Sequence, residues 1–325
     1  MTTHKQHPIG TGFQAASTAD DVVAGLDLRG KSVIVTGGHA GLGLETTRTL
    51  SRAGASVTVA ARDVDRARAA LSGLDDVEVG QLDLTDPTSI DAFTARWLAT
   101  GRPLHVLINC AGASGGPTHD ARGFDTQFAT NHLGHFQLTR ALLPALRAAH
   151  GARVVNVTSG AHRFGKIRWD DPNFVTGHDR RAAYAQSKAA NVLFTVELDR
   201  RCAADGIRAY AVHPGVVVGT KLNASAGPDA LRAMGLIDET GRPIIDPLAG
   251  KKTPQQGAST IVFAATSPLL AAIGGVYLKD NDIAPLNDEL MSLSADHIPS
   301  DAMSHTLDPA SARRLWEMSE HMLQG

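Results

Sequence analysis

Short apolar runs rich in β-branched residues alternate along the chain with longer amphipathic segments. The first run, Ser32–Thr36 (SVIVT), is uniformly hydrophobic, as expected of a strand buried on both faces of a sheet, and a helical segment at 44–53 follows it. The pattern repeats six times, with further strands at 57–61, from 77, at 104–108, 153–157 and 207–212. This repetition is typical of the α/β class and predicts a parallel, doubly wound sheet with helices on both faces.

Segments outside this repeat complete the predicted architecture. The run at 274–279 (GGVYLK) adds a seventh strand to the mainly parallel sheet. Residues 1–27 form an N-terminal extension, in which Thr18 and Asp21 have the form of a capping box that opens a short helix. Residues 28–325 contain no linker long enough to divide them, so a single Rossmann-type domain is expected.

Three further helices are predicted around this sheet. A long amphipathic helix is expected at 124–149, although Asn131 and Gly134 both cost stability inside a helix. Another is expected at 253–267, and a helical tail at 308–323.

Composition narrows the classes of function. The 325 residues are 43% hydrophobic with a formal net charge of -2, which gives no sign of binding to nucleic acid or to an anionic membrane. No apolar run approaches the roughly 20 residues of a membrane span, and the first residues lack a signal core, so a cytoplasmic protein is expected. Cys110 and Cys202 are predicted to be free thiols, and no metal site is expected from the scattered histidines.

A glycine-rich turn follows the first strand. Gly37, Gly41 and Gly43 are spaced G-x-x-x-G-x-G, between a strand and a helix. Glycines there let backbone N–H groups approach a pyrophosphate, which also gains from the positive end of the helix dipole. The alternative is a tight turn that binds no ligand.

Arg62 follows the second strand. In a doubly wound sheet this position faces the adenosine ribose, where an arginine accommodates a 2′-phosphate. NADP(H) is therefore favoured over NAD(H). The alternative is that Arg62 is solvated and that Asp63 caps the next helix.

Other polar or small residues follow the remaining strands. Asp83 follows the third strand and could meet an adenine, and Asn109-Cys110-Ala111-Gly112 follows the fourth. Ser159 follows the fifth strand, and 214–220 the sixth. Ligands of such sheets bind outside the carboxyl ends of the strands, so these residues are expected to surround one site.

Tyr184 and Lys188 lie one turn apart on a predicted helix that is rich in alanine. Residues four apart share a helix face, and an adjacent ammonium favours the phenolate form of a tyrosine. We therefore expect Lys188 to lower the pKa of Tyr184 towards neutrality. Taken alone, a pair with this spacing is more often a half-buried tyrosine beside a solvated lysine.

Over residues 28 to 280, these motifs together resemble the short-chain dehydrogenase/reductase family. They occur in the family's order: Thr36-Gly37-x-x-x-Gly41-x-Gly43, Asn109-x-Ala111-Gly112, Asn131, Ser159, Tyr184-x-x-x-Lys188 and Pro214-Gly215. The stretches NHLGHF, VNVTSGAH and YAQSKAANVLF are most similar to the retinol-dehydrogenase-like branch.

The resemblance implies a role for each member of a catalytic tetrad. Tyr184 transfers a proton to or from the substrate oxygen, and Ser159 hydrogen-bonds that oxygen. Lys188 holds the nicotinamide ribose, and Asn131 positions a water that joins Lys188 to solvent. The predicted cofactor contacts are Gly37, His39, Ala40, Gly41, Leu42, Gly43, Arg62, Asp83, Leu84, Asn109, Ala111, Gly112, Tyr184, Lys188, Pro214, Gly215, Val217 and Thr220.

Two segments depart from the compact members of the family. Ser159 and Tyr184 are 25 residues apart, and the inserted loop 160–183 is expected to border the substrate pocket. The segment 219–252 lies where the family places its substrate lid. Its apolar residues suit either a lipophilic substrate or simple packing of the lid on the domain.

The sequence thus predicts an NADP-dependent oxidoreductase that interconverts a carbonyl and an alcohol on a small to medium lipophilic substrate. Two alternatives remain: an NADP(H)-binding sensor or scaffold without turnover, and a double-bond reductase or isomerase of the same fold. By resemblance, a homo-oligomer, either dimer or tetramer, is expected, joined through the helices at 124–149 and 184–204.

Overall fold

The strands of the protein form one large sheet and a small two-stranded one. The structure is a computed structural model that describes residues 5–116, 118–217, 227–292, 294 and 297–324. Its ten strands are β1 Ser32–Thr36, β2 Ser56–Ala61, β3 Val77–Gln81, β4 Val106–Asn109, β5 Ala152–Val157, β6 Ile207–Val212, β7 Val216–Val217, β8 Lys251–Lys252, β9 Val276–Lys279 and β10 Asp282–Ile283. The large sheet has the order β10-β9-β6-β5-β4-β1-β2-β3, and β7 pairs with β8.

The predicted doubly wound α/β class is confirmed, but the sheet has eight strands where seven were expected. The extra strand, β10, pairs antiparallel with β9, whereas the other neighbours in the sheet are parallel. Asp280 and Asn281 join the two strands with φ angles of 49° and 63°. Two successive residues with positive φ suit a tight hairpin, so the Asp-Asn pair was a turn signal in the sequence. The strand β10 was not predicted because it has only two residues.

Eleven α-helices and a π-helical turn, Ala129–Leu133, surround the sheet in the described part of the chain. The helices are α1 Ala19–Val23, α2 Gly41–Arg52, α3 Val64–Ala70, α4 Pro87–Ala99, α5 Thr126–Phe128, α6 Gly134–Ala141, α7 Leu143–Ala148, α8 Arg180–Cys202, α9 Pro228–Ala233, α10 Pro254–Thr266 and α11 Pro309–Met322. The Thr18 and Asp21 capping box that opens α1 is confirmed.

The helices cover both faces of the sheet, as the alternation of side chains along β1 shows. Val33 and Val35 belong to a core cluster that includes Phe263 of α10. Ile34 points the other way, into a cluster with Phe136 of α6 and Phe194 of α8. Because successive side chains of a strand face opposite sides, the uniformly apolar sequence of β1 supplies both cores at once.

The helix predicted at 124–149 is present between residues 126 and 148, but it is not a continuous α-helix. The segment is divided into α5, the π-helical turn, α6 and α7. The break before α7 falls at Leu142, next to Pro144 in the first turn of α7, because proline cannot donate the backbone hydrogen bond of a helix interior. Gly134 has no room for a side chain, since a Cβ there would lie 2.2 Å from the carbonyl oxygen of Leu84.

The C-terminal helix α11 completes the core on one side of the molecule. Trp316 is 5% exposed, and its ring centroid lies 4.8 Å from that of Phe136 and 5.9 Å from that of Phe194. His132 of the π-helical turn and Ser319 of α11 are joined by a 2.7 Å hydrogen bond between Nε2 and Oγ. The tail therefore packs directly on α6 and α8.

Replacing Trp316 with alanine should lower the free energy of unfolding by about 3–5 kcal/mol, because it leaves a cavity between two aromatic rings. Chemical denaturation of the purified protein measures this loss. Arg313→Ala, on the exposed face of the same helix, is the matched control and should change stability little. A loss for Trp316→Ala no larger than for this control would show that α11 adds little to the core.

Within the described ranges, none of the helices is long and apolar enough to cross a membrane.

Candidate active site

The loops that follow β1 and β4 are joined by the side chain of Thr36. Its Oγ1 accepts hydrogen bonds from the backbone N–H of Cys110 at 2.9 Å and of Ala111 at 3.0 Å. Nε2 of His135 lies 2.9 Å from the same oxygen. The glycine turn and the loop after β4 are thereby held side by side at the carboxyl edge of the sheet.

The glycine turn has the geometry of a phosphate cradle. Gly37 has a φ of 67°, and a Cβ there would lie 3.2 Å from Cα of Ala111. A Cβ on Gly43 would lie 2.5 Å from the carbonyl oxygen of Gly37. Helix α2 begins at Gly41, and its N-cap, Ala40, provides no side-chain hydrogen bond to the first N–H groups. These groups therefore suit a dinucleotide pyrophosphate. His39 and Leu42, also predicted contacts, are half-buried in the same turn.

Tyr184 and Lys188 project from α8 towards the end of β5. Nζ of Lys188 lies 5.6 Å from the ring centroid of Tyr184 and donates a 3.1 Å hydrogen bond to the carbonyl oxygen of Val157. Lys188 is buried, and Thr158 fixes its backbone through a 2.7 Å hydrogen bond to its carbonyl oxygen. The helix face predicted from the spacing is therefore present.

The pKa values of this pair differ from the expectation. Desolvation by the surrounding protein raises the pKa of Tyr184 to about 12, while a hydrogen bond with the Ser159 side chain opposes this rise. Burial also lowers the pKa of Lys188 to about 8. The expectation that Lys188 lowers the pKa of Tyr184 is wrong for the protein alone, because its ammonium is directed at Val157 and desolvation dominates. The phenol is thus protonated around neutral pH.

Ser159 lies at the start of a 3₁₀ turn, Gly160–Phe164, that follows β5. Its Oγ accepts a 3.2 Å hydrogen bond from the backbone N–H of Ala161, and its side chain is near enough to the Tyr184 phenol to oppose the rise in its pKa. The structure therefore brings Ser159, Tyr184 and Lys188 together at one strand end.

Asn131 lies in the π-helical turn, and its side chain fastens the loop after β4. Oδ1 accepts the N–H of Ala113 at 2.7 Å, while Nδ2 donates to the carbonyl oxygen of Ala113 at 3.0 Å and to Oγ of Ser187 at 2.9 Å. An ideal Cβ on Gly112 would lie 3.5 Å from Oδ1 of Asn131 and 3.8 Å from Nζ of Lys188. Asn131 is thus adjacent to Lys188, with its amide engaged by protein groups.

The side chain of Asn109 points away from this crevice. Its Nδ2 donates to Oγ1 of Thr139 at 3.1 Å and to Oδ1 of Asn156 at 2.8 Å, within the helical layer under the sheet. Nδ2 of Asn156 continues the chain to Oγ1 of Thr195 at 2.9 Å. The side chain of Asn109, a predicted contact, is therefore not directed at a ligand in the crevice. Ala111, another predicted contact, borders the glycine turn.

The predicted adenosine contacts lie at the ends of β2 and β3. Arg62 is exposed, and Asp63 caps α3 by accepting the N–H of Arg66 at 3.0 Å. Oδ1 of Asp83 is occupied by the backbone N–H of Thr85 at 2.9 Å and by its hydroxyl at 2.7 Å. Leu84 is buried beside Gly134, where it packs the loop after β3.

The loop after β6 approaches the glycine turn from the other side. A Cβ on Gly257 of α10 would lie 2.6 Å from both Leu42 and Val217, and 3.2 Å from the carbonyl oxygen of Pro214. Gly215 has a φ of 80° and packs against Lys252. These predicted contacts therefore converge with the cradle. Thr220 and the first part of the predicted lid lie outside the described residues.

The inserted loop 160–183 is fastened to α8 beside Tyr184. Gln186 accepts the N–H of Arg168 at 2.8 Å and donates to the carbonyl oxygen of Pro172 at 2.8 Å. A Cβ on Gly165 would lie 2.1 Å from the carbonyl oxygen of Ala185.

A further segment beside Ser159 was not found from the sequence. Arg163 is 2% exposed, and its guanidinium donates to the carbonyl oxygens of Asn287, Glu289 and Asp301. The carbonyl oxygen of Pro299 would lie 2.9 Å from a Cβ on Gly160. Residues 286–302 have no regular hydrophobic pattern, and the burial of Arg163 cannot be read from the sequence, so the position of this segment was not predictable.

A glycine-lined helix start beside a phenol and a buried ammonium places the protein among the oxidoreductases that use a pyridine nucleotide. Residues 31–230 match the profile of the short chain dehydrogenase family. The chain belongs to the short-chain dehydrogenase/reductase family, as its resemblance in sequence predicted, and is an NAD(P)-dependent enzyme of that family.

Named relatives support the same assignment. The chain is 43% identical to a probable oxidoreductase from Streptomyces lividans, over 90% of this chain and 97% of the relative. It is 40% identical to human retinol dehydrogenase 12, over 78% of this chain and 79% of the relative. Among solved structures, the Pseudomonas aeruginosa RhlG/NADP active-site complex matches with a TM-score of 0.61 and 25% identity, over 78% of this chain and 95% of that one.

Proposed function

We propose that the enzyme uses NADP(H) to interconvert a carbonyl and an alcohol on a small to medium lipophilic substrate. The observation that supports this most is the convergence of Ser159, Tyr184 and Lys188 at the end of β5: the Ser159 side chain opposes the rise in the pKa of Tyr184, and Nζ of Lys188 lies 5.6 Å from the Tyr184 ring centroid. Two hydroxyls close together beside a cofactor cradle suit recognition of a single substrate oxygen.

Each residue has a distinct task in this proposal. A bound nicotinamide dinucleotide would supply or accept the hydride. Tyr184 donates its proton to the developing alkoxide oxygen during reduction and accepts it during oxidation. Ser159 donates a hydrogen bond to the same oxygen, where negative charge develops. Lys188 provides a positive charge next to the phenol, and Asn131 holds the loop that borders them.

Absorbance of NADPH in the presence of a panel of aldehydes and ketones tests the reaction. Turnover of one or more carbonyl substrates is the expected result. Tight NADPH binding without turnover of any carbonyl, alcohol or activated alkene would favour the sensor alternative instead.

The preference for NADP(H) is supported by the end of β2. Arg62 is exposed where the adenosine ribose is expected, and the neighbouring carboxylate, Asp63, is already engaged in capping α3. A cation without a competing acid suits a 2′-phosphate. The RhlG structure is titled as an NADP complex, which agrees with this preference.

Replacing Arg62 with alanine should raise the KM for NADPH about 10- to 100-fold, because a hydrogen bond to a charged group is worth about 1.5–3 kcal/mol. The KM for NADH should hardly change, since NADH has no 2′-phosphate. Steady-state kinetics with both cofactors measures the difference. Arg66→Ala, an exposed arginine on α3, is the matched control. Equal losses with NADPH and NADH would contradict the role of Arg62.

A lipophilic substrate is supported by apolar side chains around the site. Phe164, in the turn after Ser159, is 48% exposed, and Leu290, on the segment held by Arg163, is 74% exposed. In the predicted lid, Leu236 and Ile237 are buried, while Leu248 is 91% exposed. Some apolar residues of the lid are therefore buried by packing on the domain, while others are exposed and could contact a lipophilic substrate. The retinol dehydrogenase relative acts, by its name, on a lipophilic alcohol.

The cytoplasmic location and the homo-oligomer stay predictions. The family's usual association through the helices at 124–149 and 184–204 would have to accommodate α11, which packs on α6 and α8.

A further inference from the structure

Two buried histidines hold the peptide group that joins Ser159 to Gly160. Nδ1 of His162 lies 2.8 Å from the carbonyl oxygen of Ser159, and Nδ1 of His213 accepts the N–H of Gly160 at 3.0 Å. A carbonyl oxygen only accepts and an N–H only donates, so His162 carries its proton on Nδ1 and His213 on Nε2. The two rings therefore bond opposite edges of one peptide plane.

The surroundings keep both rings neutral. Burial, more than any neighbouring charge, lowers the pKa of His162 and of His213 to about 3. Lys252 and Lys279 add to the effect at His213. Since neither ring gains a proton around neutral pH, both hydrogen bonds to the peptide persist there.

Neighbouring strands support the two rings. The ring of His162 is 0% exposed and lies 4.5 Å, between centroids, from the ring of Tyr277 on β9. The hydroxyl of Tyr277 donates in turn to the carbonyl oxygen of Ser300 at 2.9 Å. His213 follows β6, and its own N–H donates to the carbonyl oxygen of Leu278 at 2.9 Å. Both histidines thus rest on the sheet itself.

The orientation of the Ser159 hydroxyl depends on this peptide plane. Ser159 has extended backbone angles, φ -158° and ψ 157°, and its Oγ accepts the N–H of Ala161 at 3.2 Å. Rotation of the plane would move Ala161 and with it the position of Oγ. Gly160 cannot be displaced towards the 286–302 segment, because the carbonyl oxygen of Pro299 already lies against it.

We infer that His162 and His213 are positioning residues that direct the Ser159 hydroxyl at Tyr184 and at the substrate oxygen. This inference rests on the proposed function, in which Ser159 bonds that oxygen. Both histidines bond the peptide group that follows Ser159, so both act on its hydroxyl through that peptide.

The test is a double-mutant cycle between His213 and Ser159. Replacing His213 with leucine should lower kcat about 10- to 100-fold, since a small misplacement of a catalytic group has an effect of this order. The KM for NADPH should stay unchanged. His213→Asn should recover most of the activity, because the asparagine amide oxygen can reach the place of Nδ1. His321→Leu, at an exposed position on α11, is the matched control.

The cycle separates positioning from general support of the fold. In a Ser159→Ala background, His213→Leu should lower kcat little further, because the group that it positions is gone. An equal fold-loss in both backgrounds would overturn the inference, as would full activity in a His213→Leu protein. Thermal melting and NADPH binding show that each variant is folded.

Other results are also decisive. If Ser159→Ala kept full activity, the proposed role of Ser159, and with it the proposed function, would be wrong. If Ser159→Ala lost activity but the histidine variants did not, only the inference about the histidines would be wrong. If His213→Leu did not fold, the cycle would be repeated with His162→Leu, and His162→Asn should rescue by donating from its amide nitrogen. Equal activity of His162→Leu and the wild type would again overturn the inference.

Discussion

Replacing Tyr184 with phenylalanine should lower kcat for carbonyl reduction about 100- to 10,000-fold, the range that a positioned general acid contributes. The phenol has its pKa raised to about 12, mainly by burial, so it is protonated at neutral pH and available as a donor. Phenylalanine keeps the ring and removes only the hydroxyl group that carries this proton. The KM for NADPH and the melting temperature should change little.

The chain provides a matched control for this substitution. Tyr210 on β6 is also buried, and its hydroxyl donates to the carbonyl oxygen of Leu270 at 2.8 Å, in the core that includes α10. Tyr210→Phe should lower stability slightly and leave kcat near that of the wild type. Equal turnover by Tyr184→Phe and the wild type would remove Tyr184 from the mechanism.

Replacing Lys188 with methionine should lower kcat/KM about 100-fold, through loss of the charge beside the phenol, while increasing stability at pH 7. Burial lowers the pKa of Lys188 from 10.5 to about 8, so the folded protein carries a desolvated ammonium at neutral pH. The shift corresponds to about 3 kcal/mol in favour of the neutral side chain. The carbonyl oxygen of Val157 keeps a second donor, Asn191, at 3.2 Å.

The sign of the pH dependence follows from the direction of this shift. Below pH 8 both the folded and the unfolded lysine are protonated, and the full cost of burying the charge is present. Between about 8 and 10.5 the folded protein releases its proton first, so the stability of the wild type rises with pH. The advantage of Lys188→Met should therefore shrink across this window.

Chemical denaturation at pH 7 and at high pH measures this difference in stability. Lys31→Met, at an exposed lysine before β1, serves as the control. The difference in stability between this variant and the wild type should not decrease as the pH rises. A Lys188→Met protein that is less stable than the wild type at pH 7 would contradict the argument.

The sequence predicted the sheet well because its signals are local. A strand buried on both faces must be largely apolar, and β1 and β6 are; Ile207–Val212 was predicted with the bounds that it has. The glycine turn was also predictable, since Gly43 has no room for a Cβ next to Gly37. Helix starts were found where a cap occurs, as at Thr18 and Asp21 for α1.

The features that were missed depend on contacts between distant parts of the chain. The carbonyl of Leu84 lies against Gly134 and leaves that position no room for a side chain, which no local pattern reveals. Desolvation at Tyr184 outweighs the charge of Lys188, and burial cannot be read from spacing. Arg163 is the clearest case, because an arginine in sequence predicts exposure and this one is almost fully buried.

The position of α11 has a consequence for synthesis of the chain. Trp316 follows all the strands of the sheet along the chain, and it covers Phe136 and Phe194. Until α11 has left the ribosome, those rings lack this cover, so a nascent chain whose sheet is already complete still exposes an aromatic surface. Such surfaces recruit chaperones and promote aggregation. Synthesis of α11, rather than completion of the sheet, should therefore be the step after which the nascent enzyme is protected from aggregation.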